Sequence, residues 1–261
     1  MVRLKINGRE VEVEKDSTVL QAAKKLGIEI PTLCHHDALS PYGSCRLCVV
    51  EIRKRGRSGS RIVTSCNYPV EEGLDVETDS DRVLKDRKIV MELLLARCPD
   101  VKVLQEMARH MGIEKPRFSL DHSTCILCGL CVRVCEETIG ASAISFVSRG
   151  VDEDVSTPYD ISSDVCIGCG TCARVCPTGA ITVETIEDVM RIKKFKRFST
   201  TKKMHQCPSC GKYYIAELHM DWISQRLGPL SFLTSLCPEC KRSGSAKIQQ
   251  RSQVARNMRP S

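Results

Sequence analysis

The stretch CILCGLCVRVCE, residues 125–136, places four cysteines within eleven residues, and the chain repeats it as CIGCGTCARVCP at residues 166–177. The spacing C-x2-C-x2-C-x3-C binds [4Fe–4S] clusters through thiolates, and in two-cluster proteins the fourth cysteine of each run serves the cluster of the other run. Two sets of four follow: Cys125, Cys128, Cys131 and Cys176, and Cys166, Cys169, Cys172 and Cys135. The tandem runs therefore predict a unit that holds two [4Fe–4S] clusters.

The repeat extends beyond the cysteines. Residues 143–146 after the first run resemble residues 180–183 after the second, which predicts a pseudo-twofold ferredoxin unit with a short strand covering each cluster. Glu136 stands where the second run has Pro177, a residue that would turn the chain away from the cluster. We therefore expect an inserted loop from Glu136 to Val165, and not a lost ligand.

The chain has 17 cysteines, and nine lie outside the two runs. Cys98 stands alone, and the other eight form an N-terminal and a C-terminal group. These groups are Cys34, Cys45, Cys48 and Cys66, and Cys207, Cys210, Cys237 and Cys240. No apolar leader follows Met1 and no apolar run is long enough to span a membrane, so we expect a cytoplasmic protein without membrane insertion. In a reducing compartment such cysteines indicate metal ligation and not disulfides.

The N-terminal group lies in a segment whose pattern predicts a β-grasp ferredoxin domain. The first thirteen residues alternate apolar and polar side chains around Asn7-Gly8, a strong hairpin signal. A short helix should follow, with Asp16 or Ser17 as its N-cap and Gly27 after its last turn. Hairpin, helix and cysteine-bearing loop, in that order, predict a [2Fe–2S] site, although the cysteine spacing is wider than the plant-type pattern.

His35 and His36 directly follow Cys34 and raise the alternative of a Rieske-like centre, in which two histidines bind one iron. Four cysteines are already present, and the two histidines are adjacent instead of lying in two loops. We therefore expect these side chains to face solvent or to donate hydrogen bonds near the cluster.

The segment between the N-terminal group and the first run predicts two helices, with Val83, Val90 and Leu94 on one face of the first. Within the linker at residues 81–113, the only cysteine and the only histidine are Cys98 and His110. One thiol and one imidazole cannot build a four-ligand site. Cys98 is interpreted as a buried thiol, and His110 as a side chain that suits the negative end of a helix dipole.

Two C-P-x-C knuckles hold the C-terminal group and predict a zinc ribbon. So short a segment would need a structural metal to fold. A third [4Fe–4S] cluster, or a labile site, remains the alternative. The basic stretch at residues 191–203 shows little periodicity and predicts a linker, and the polar, basic C-terminal residues predict a flexible tail.

The formal net charge of +7 counts every cysteine as neutral. A site of four thiolates with its metal carries about −2, so four such sites bring the loaded chain close to neutrality. The basic residues then offset the metal sites, which argues against nucleic acid as a partner.

The order of the cysteine groups resembles the N-terminal part of the large iron–sulfur subunit of respiratory complex I and the small diaphorase subunit of NAD-linked hydrogenases. The resemblance covers roughly residues 1–185. It implies one [2Fe–2S] and two [4Fe–4S] clusters on the N-terminal group and the two runs. It also implies partners, namely a flavin subunit that binds NAD(P)H and a catalytic hydrogenase, formate dehydrogenase or other reductase subunit. Those relatives usually carry a further cluster on one histidine and three cysteines, which the linker of this chain cannot supply.

No nucleotide-binding loop or hydrolase motif is evident, and GCGTCA at residues 168–173 matches G-x-G-x-x-A only through glycines inside a cysteine run. With every cluster bound by four cysteines, no iron has an open position, so we expect no catalysis by the chain alone. We therefore expect an electron-transfer subunit of a cytosolic oxidoreductase complex, which links the flavin subunit to the catalytic subunit. Two other functions remain open. The chain could be a freestanding polyferredoxin carrier, or a redox-sensing regulator whose basic tail binds nucleic acid with salt-dependent affinity.

The sequence thus predicts an α+β protein with one [2Fe–2S] cluster, two [4Fe–4S] clusters and one zinc. The predicted segments are a β-grasp domain at 1–78, a helical linker at 79–115, a bacterial-type 2[4Fe–4S] ferredoxin domain at 116–190, a basic linker at 191–204, a four-cysteine zinc-ribbon-like domain at 205–245 and a basic flexible tail at 246–261.

Overall fold

A mixed five-stranded sheet forms the N-terminal part of the chain. The computed structural model describes residues 1–54, 56, 58–120, 123–194, 196–228 and 236–244. The strands are β1 Val2–Ile6, β2 Arg9–Val13, β3 Val49–Arg53, β4 Arg61–Thr64 and β5 Asp75–Glu77, in the order β2-β1-β5-β3-β4. β1 and β5 run parallel, and the other pairs are antiparallel. The hairpin at Asn7-Gly8 is confirmed, and the arrangement agrees with the expected β-grasp.

Helix α1, Val19–Lys25, packs its buried side chains into the core of this sheet. Its N-cap is Thr18, so the prediction of Asp16 or Ser17 is wrong by one or two residues. The Thr18 hydroxyl accepts from the Gln21 amide at 3.3 Å, and the Gln21 side chain accepts from the Thr18 amide at 2.8 Å. This capping box satisfies two amides at once, which neither earlier residue could do.

Two helices follow the sheet, α2 Asp81–Arg97 and α3 Lys102–His110. The buried ridge of α2 consists of Val83, Arg87, Met91 and Leu95, at a spacing of four residues. The predicted face is correct only at Val83, because Val90 and Leu94 are half-buried. Arginine in the middle of the ridge interrupts the apolar pattern that the prediction relied on. No helix of the described residues is long and apolar enough to cross a membrane.

The two cysteine runs fold as matching loop-and-helix units. Helix α4, Leu130–Arg133, carries the third cysteine of its run, and α5, Thr171–Arg174, occupies the same place in the second. After α4 the chain continues as a π-helical turn, Val134–Ile139, that carries Cys135 and Glu136. The first run has no proline at the position of Pro177, so this turn can form. The expected inserted loop contains a two-stranded hairpin of β6, Ser145–Val147, and β7, Asp154–Ser156.

A four-stranded antiparallel sheet completes the described fold. Its strands are β8 Ile181–Ile186, β9 Val189–Lys194, β10 Phe198–Gln206 and β11 Tyr213–Ala216, followed by helix α6, Glu217–Leu227. The prediction of a linker at 191–204 is wrong, because β9 and β10 span most of it. The sequence of β10 does not alternate clearly between apolar and polar residues, because its buried positions include Thr200 as well as Phe198 and Met204. The sheet therefore joins the ferredoxin region to the C-terminal cysteines. The predicted tail at 246–261 lies outside the described residues.

The C-terminal elements pack directly on the cysteine runs. Gly168, between two cysteines of the second run, lies so close to Ala216 that a Cβ placed on the glycine would be 2.6 Å from the Cβ of Ala216. The indole Nε1 of Trp222 donates to the Ile139 carbonyl at 3.1 Å. The end of the last sheet thus packs against the second run, and α6 contacts the π-helical turn that follows α4 in the first.

The contact at Gly168 can be tested with a matched pair of glycines. Gly168 and Gly179 both have positive φ, +75° and +67°, but a Cβ on Gly179 would meet no atom within 4 Å. Each change to alanine costs about 1–2 kcal/mol for the left-handed backbone. Gly168→Ala should cost about 1–3 kcal/mol more, because the added carbon overpacks the junction. Thermal denaturation of the two variants compares them, and equal losses would contradict the packing described here.

Candidate metal centres

Cysteines from both runs meet around two cavities. Cys125, Cys128, Cys131 and Cys176 line the first, here named the proximal site, and Cys135, Cys166, Cys169 and Cys172 line the second, the distal site. Each site takes three cysteines from one run and one from the other. The two cavities therefore bring together the same two sets of four cysteines that the crossed spacing groups, and their role as cluster ligands stays a prediction.

The elements around each cavity hold the cysteines in place. Gly129 and Gly170 adopt left-handed φ values of 72° and 67°, which turn the chain into α4 and α5 two residues before the third cysteine of each run. Strands β9 and β10 supply Ile192, Phe198 and Thr200 to the wall of the distal site. Only glycine makes such turns without backbone strain, so the glycines inside the runs are structural.

Burial makes both cavities unfavourable for bare thiolates. Desolvation raises the pKa of Cys128 and of Cys172 to about 12, and raises that of Cys131 as well. A buried thiolate becomes stable only beside a cation or hydrogen-bond donors. The amide of Ala143 donates to the sulfur of Cys135 at 3.3 Å. The donor set of each cavity, four convergent thiols in an apolar wall, fits an iron–sulfur cluster.

The N-terminal site, Cys34, Cys45, Cys48 and Cys66, is buried throughout. The Cys45 amide donates to the sulfur of Cys34 at 3.4 Å. The Cys45 thiol also hydrogen-bonds to Cys34, which lowers the pKa of Cys34 to about 2 and raises that of Cys45. Hydrogen bonds between side chains also join Cys34 to Cys66 and Cys66 to Cys48, so the four thiols form one linked set, and a metal group can replace their protons. Three of the cysteines lie in the loop between α1 and β3, and Cys66 lies two residues after β4.

The neighbouring histidines and the single cysteine have other contacts. His35 lies 2.9 Å from the carboxylate of Asp37, and the ring of His36 accepts from the Ala38 amide at 3.2 Å. Cys98 is fully buried, and burial raises its pKa to about 12, which confirms the prediction of a buried thiol. His110 is the last residue of α3 and is exposed.

The C-terminal site brings together Cys207, Cys210, Cys237 and Cys240, whose sulfurs all lie within 4.8 Å of one another. The sulfurs of Cys210 and Cys237 are 3.7 Å apart. Amides at the knuckles point at the sulfurs: Cys237 donates to Cys207, and Cys240 to Cys237, both at 3.4 Å. Donation from the Cys237 amide lowers the pKa of Cys207 to about 6. This is the donor set of a compact thiolate site.

One apolar core joins the N-terminal and proximal sites. It contains Cys34 and Cys45 of the first and Cys128 of the second, with Met91 and Leu95 of α2 between the domains. A second core contains Cys131 of the proximal site and, at its edge, cysteines of the distal site. The three sites therefore lie in series, and each shares a core with the next.

Sequence reasoning missed three arginines that hold the cysteine loops. Arg87 donates to the Val49 carbonyl at 2.8 Å, Arg97 to the Cys125 carbonyl at 3.0 Å, and Arg133 to the Cys34 carbonyl at 2.7 Å. Arg133 follows Cys131 by two positions in the first run, where it reads as an ordinary surface charge. The only sequence signal was the place of Arg87 on an otherwise apolar ridge.

Comparison with known families agrees with these sites. Residues 1–81 match the family described as "2Fe-2S iron-sulfur cluster binding domain", and residues 124–180 match the "4Fe-4S dicluster domain". The chain carries two iron–sulfur cluster-binding domains. Neither match reaches the C-terminal cysteines.

Similar proteins belong to oxidoreductase complexes. The chain is 38% identical over 175 residues to the NADPH-Fe(3+) oxidoreductase subunit alpha of Geobacter sulfurreducens, and 34% identical over 182 residues to the 75 kDa subunit of NADH-ubiquinone oxidoreductase of Reclinomonas americana. It is 32% identical over 183 residues to the mitochondrial 78 kDa subunit of NADH-ubiquinone oxidoreductase of Candida albicans. These matches cover 58–60% of the chain and only 20–26% of the relatives. The aligned region is thus a small part of each relative.

A solved NAD+-reducing [NiFe]-hydrogenase, in its H2-reduced state, contains a similar chain. The TM-score is 0.58 at 29% identity, and the similarity covers 68% of this chain and 85% of the other. The shared arrangement therefore extends through most of a solved chain, whereas the longer relatives share only a portion.

The crossed grouping predicts which cysteines a substitution will expose. Cys135→Ser should open the distal site, so that Cys166, Cys169 and Cys172 become alkylated by iodoacetamide in the native protein. Cys125, Cys128 and Cys131 should stay protected, although they lie in the same run as residue 135. Mass spectrometry of the labelled peptides measures this, with Cys176→Ser as the reciprocal variant. Alkylation only of cysteines in the run that carries the substitution would contradict the grouping of each run with one cysteine of the other.

Proposed function

We propose that the chain is a non-catalytic electron-transfer subunit of a cytoplasmic oxidoreductase complex. It relays electrons between a flavoprotein subunit that uses NAD(P)H and a catalytic subunit such as a hydrogenase, formate dehydrogenase or other reductase. One observation carries the proposal: the N-terminal, proximal and distal sites lie in series, with a shared apolar core at each junction.

The proposed ligands follow from the grouping of the thiols. The N-terminal site would hold a [2Fe–2S] cluster, and the proximal and distal sites would each hold a [4Fe–4S] cluster. Bound clusters supply one-electron redox chemistry. The residues of the chain fix the positions of the sites and keep water out, because the cysteines of the N-terminal site and Cys128 and Cys131 are buried.

Hydrogen bonds between the loops of the N-terminal and proximal sites support a fixed path for electrons. The Ser44 hydroxyl, beside Cys45, donates to the carbonyl of Leu127, beside Cys128, at 3.0 Å. The Ser40 amide donates to the carboxylate of Glu137 at 2.7 Å, and Arg133 bridges the same two loops. Hydrogen bonds at the junction hold the first two sites at one distance, which a relay requires.

The partners are inferred from the relatives. The names of the similar proteins refer to NADH, NADPH or NAD+ as a reactant. The chain spans about a fifth to a quarter of the length of the curated relatives, so their activities are not transferred to it. A flavoprotein and a catalytic subunit would supply those activities.

The C-terminal site is proposed to hold zinc. Tetrahedral zinc with Zn–S bonds of about 2.3 Å places its sulfurs about 3.8 Å apart, close to the 3.7 Å between Cys210 and Cys237. In a [4Fe–4S] site each thiolate binds a different iron, so the sulfurs lie farther apart. Zinc would fasten β10 and β11 to the helix at 238–244.

Metal content tests the cofactor assignment. Protein purified without oxygen should contain about ten iron atoms and about one zinc per chain. Cys207→Ser should remove the zinc and keep the iron, whereas Cys98→Ala, a change at a buried cysteine outside all four sites, should keep both. Elemental analysis and EPR of the reduced protein measure the outcome. About fourteen iron atoms and no zinc would instead assign a third [4Fe–4S] cluster.

The relay itself predicts a requirement for a partner. The purified chain should be reduced by dithionite but not by NADH or NADPH. A tagged chain expressed in its own host should co-purify with a flavin-containing subunit, and NAD(P)H should then reduce the clusters. Visible absorbance follows the reduction. Reduction of the chain alone by NAD(P)H would contradict the proposal.

A further inference from the structure

Two buried nitrogen atoms lack a hydrogen-bond partner. Among the described residues, the Nε atoms of Arg87 and Arg133 are the only buried side-chain nitrogen or oxygen atoms without one. Arg87 is 5% exposed and Arg133 is 8% exposed. Buried arginine is costly unless its charge is offset. Both arginines lie against the loops of the N-terminal site.

Arg133 reaches this site from the proximal domain. Its two terminal nitrogens donate to the carbonyls of Ser40, at 2.5 Å, and Cys34, at 2.7 Å. Its guanidinium carbon lies 5.2 Å from the centre of the Tyr42 ring. In the chain Arg133 lies between Cys131 of the proximal site and Cys135 of the distal site, so its side chain links the first cysteine run to the loop of the N-terminal site.

Arg87 reaches the same site from α2, on the linker side. One terminal nitrogen donates to the carbonyl of Val49, the residue after Cys48, at 2.8 Å. The other is 3.5 Å from the carboxylate of Asp79, whose side chain is 63% exposed. Two helices from outside the β-grasp thus each place one arginine on the backbone of a cysteine loop.

Ordinary countercharges do not account for these buried cations. Asp79 is largely solvated, so it neutralises Arg87 only in part. Within the described part of the chain, no carboxylate forms an ion pair with Arg133 at 4 Å or less. The carboxylate of Glu137, which accepts from the Ser40 amide, attracts Arg133 from a greater distance, but it is exposed and offsets the buried charge only in part. The four thiolates of the N-terminal site, with their metal, would supply a net charge of about −2.

We propose that Arg87 and Arg133 raise the reduction potential of the N-terminal [2Fe–2S] site through their charges, with Arg133 acting at the junction with the proximal site. This inference rests on the proposed function. Reduction adds one electron and no proton to the site, so it adds one negative charge. A fixed buried cation stabilises the reduced form more than the oxidised form.

The repeat supplies a matched control. Arg174 occupies the same place in the second run as Arg133 in the first, two residues after the third cysteine. Arg174 is exposed. Arg174→Gln therefore removes the same charge from the same motif position, but away from the junction with the N-terminal site.

The experiment is a potentiometric titration of the [2Fe–2S] EPR signal in the full chain. Arg133→Gln should reduce the equilibrium constant for one-electron reduction of this site about tenfold, a shift of about 59 mV to more negative potential. Arg133→Lys should keep most of the wild-type potential, because the charge remains. Arg87→Gln should lower the potential in the same direction, and Arg174→Gln should leave it unchanged.

The outcomes distinguish an effect of the arginine charge from an effect of loop position, and a failure of this inference from a failure of the proposed function. An unchanged midpoint potential in Arg133→Gln overturns the inference. Equal shifts in Arg133→Lys and Arg133→Gln also overturn it, since loop position and not charge would then set the potential. If Arg133→Gln loses the cluster, Arg87→Gln decides the question by the same shift. A wild-type chain without a [2Fe–2S] signal would instead contradict the proposed function itself.

Discussion

Four sulfur atoms must meet at each proposed metal site, and this requirement organises the chain. No short segment can supply such a site alone, since a run of three closely spaced cysteines leaves the fourth position open. Cys135 therefore lies beside the second run, and Cys176 beside the first. Each run therefore completes its site only with a cysteine of the other run. The inserted hairpin between them packs against the sites, with Val155 of β7 lining the proximal cavity.

The linker helix α2 connects the domains through polar as well as apolar contacts. Met91 and Leu95 belong to the core shared by the N-terminal and proximal sites. Arg87 and Arg97, ten residues apart on the same helix, donate to carbonyls in the loops of those two sites. A rigid helix so anchored at two points fixes the separation of the sites. The buried positive charge of Arg87 is tolerated because the N-terminal and proximal sites are both expected to be anionic.

The C-terminal strands help to hold the distal site together. Strands β9 and β10 form one wall of that site, and β10 continues directly into the first cysteine knuckle. A metal bound at the knuckles would therefore stabilise the wall of an iron–sulfur site as well as its own loops. This continuity accounts for strands β9 and β10 in a segment whose composition is that of a linker.

The cysteine spacing by itself determined the two runs, their crossed grouping and the separate N-terminal and C-terminal groups, because ligand spacing is a local property of the chain. The Asn7-Gly8 hairpin was also predictable from local pattern. The buried ridge of α2 was not, because Arg87 interrupts the apolar period that identifies such a face. Only the tertiary structure distinguished Arg133 from Arg174. Their motif positions are the same, and burial depends on which domain packs against each run, a contact between segments nearly one hundred residues apart.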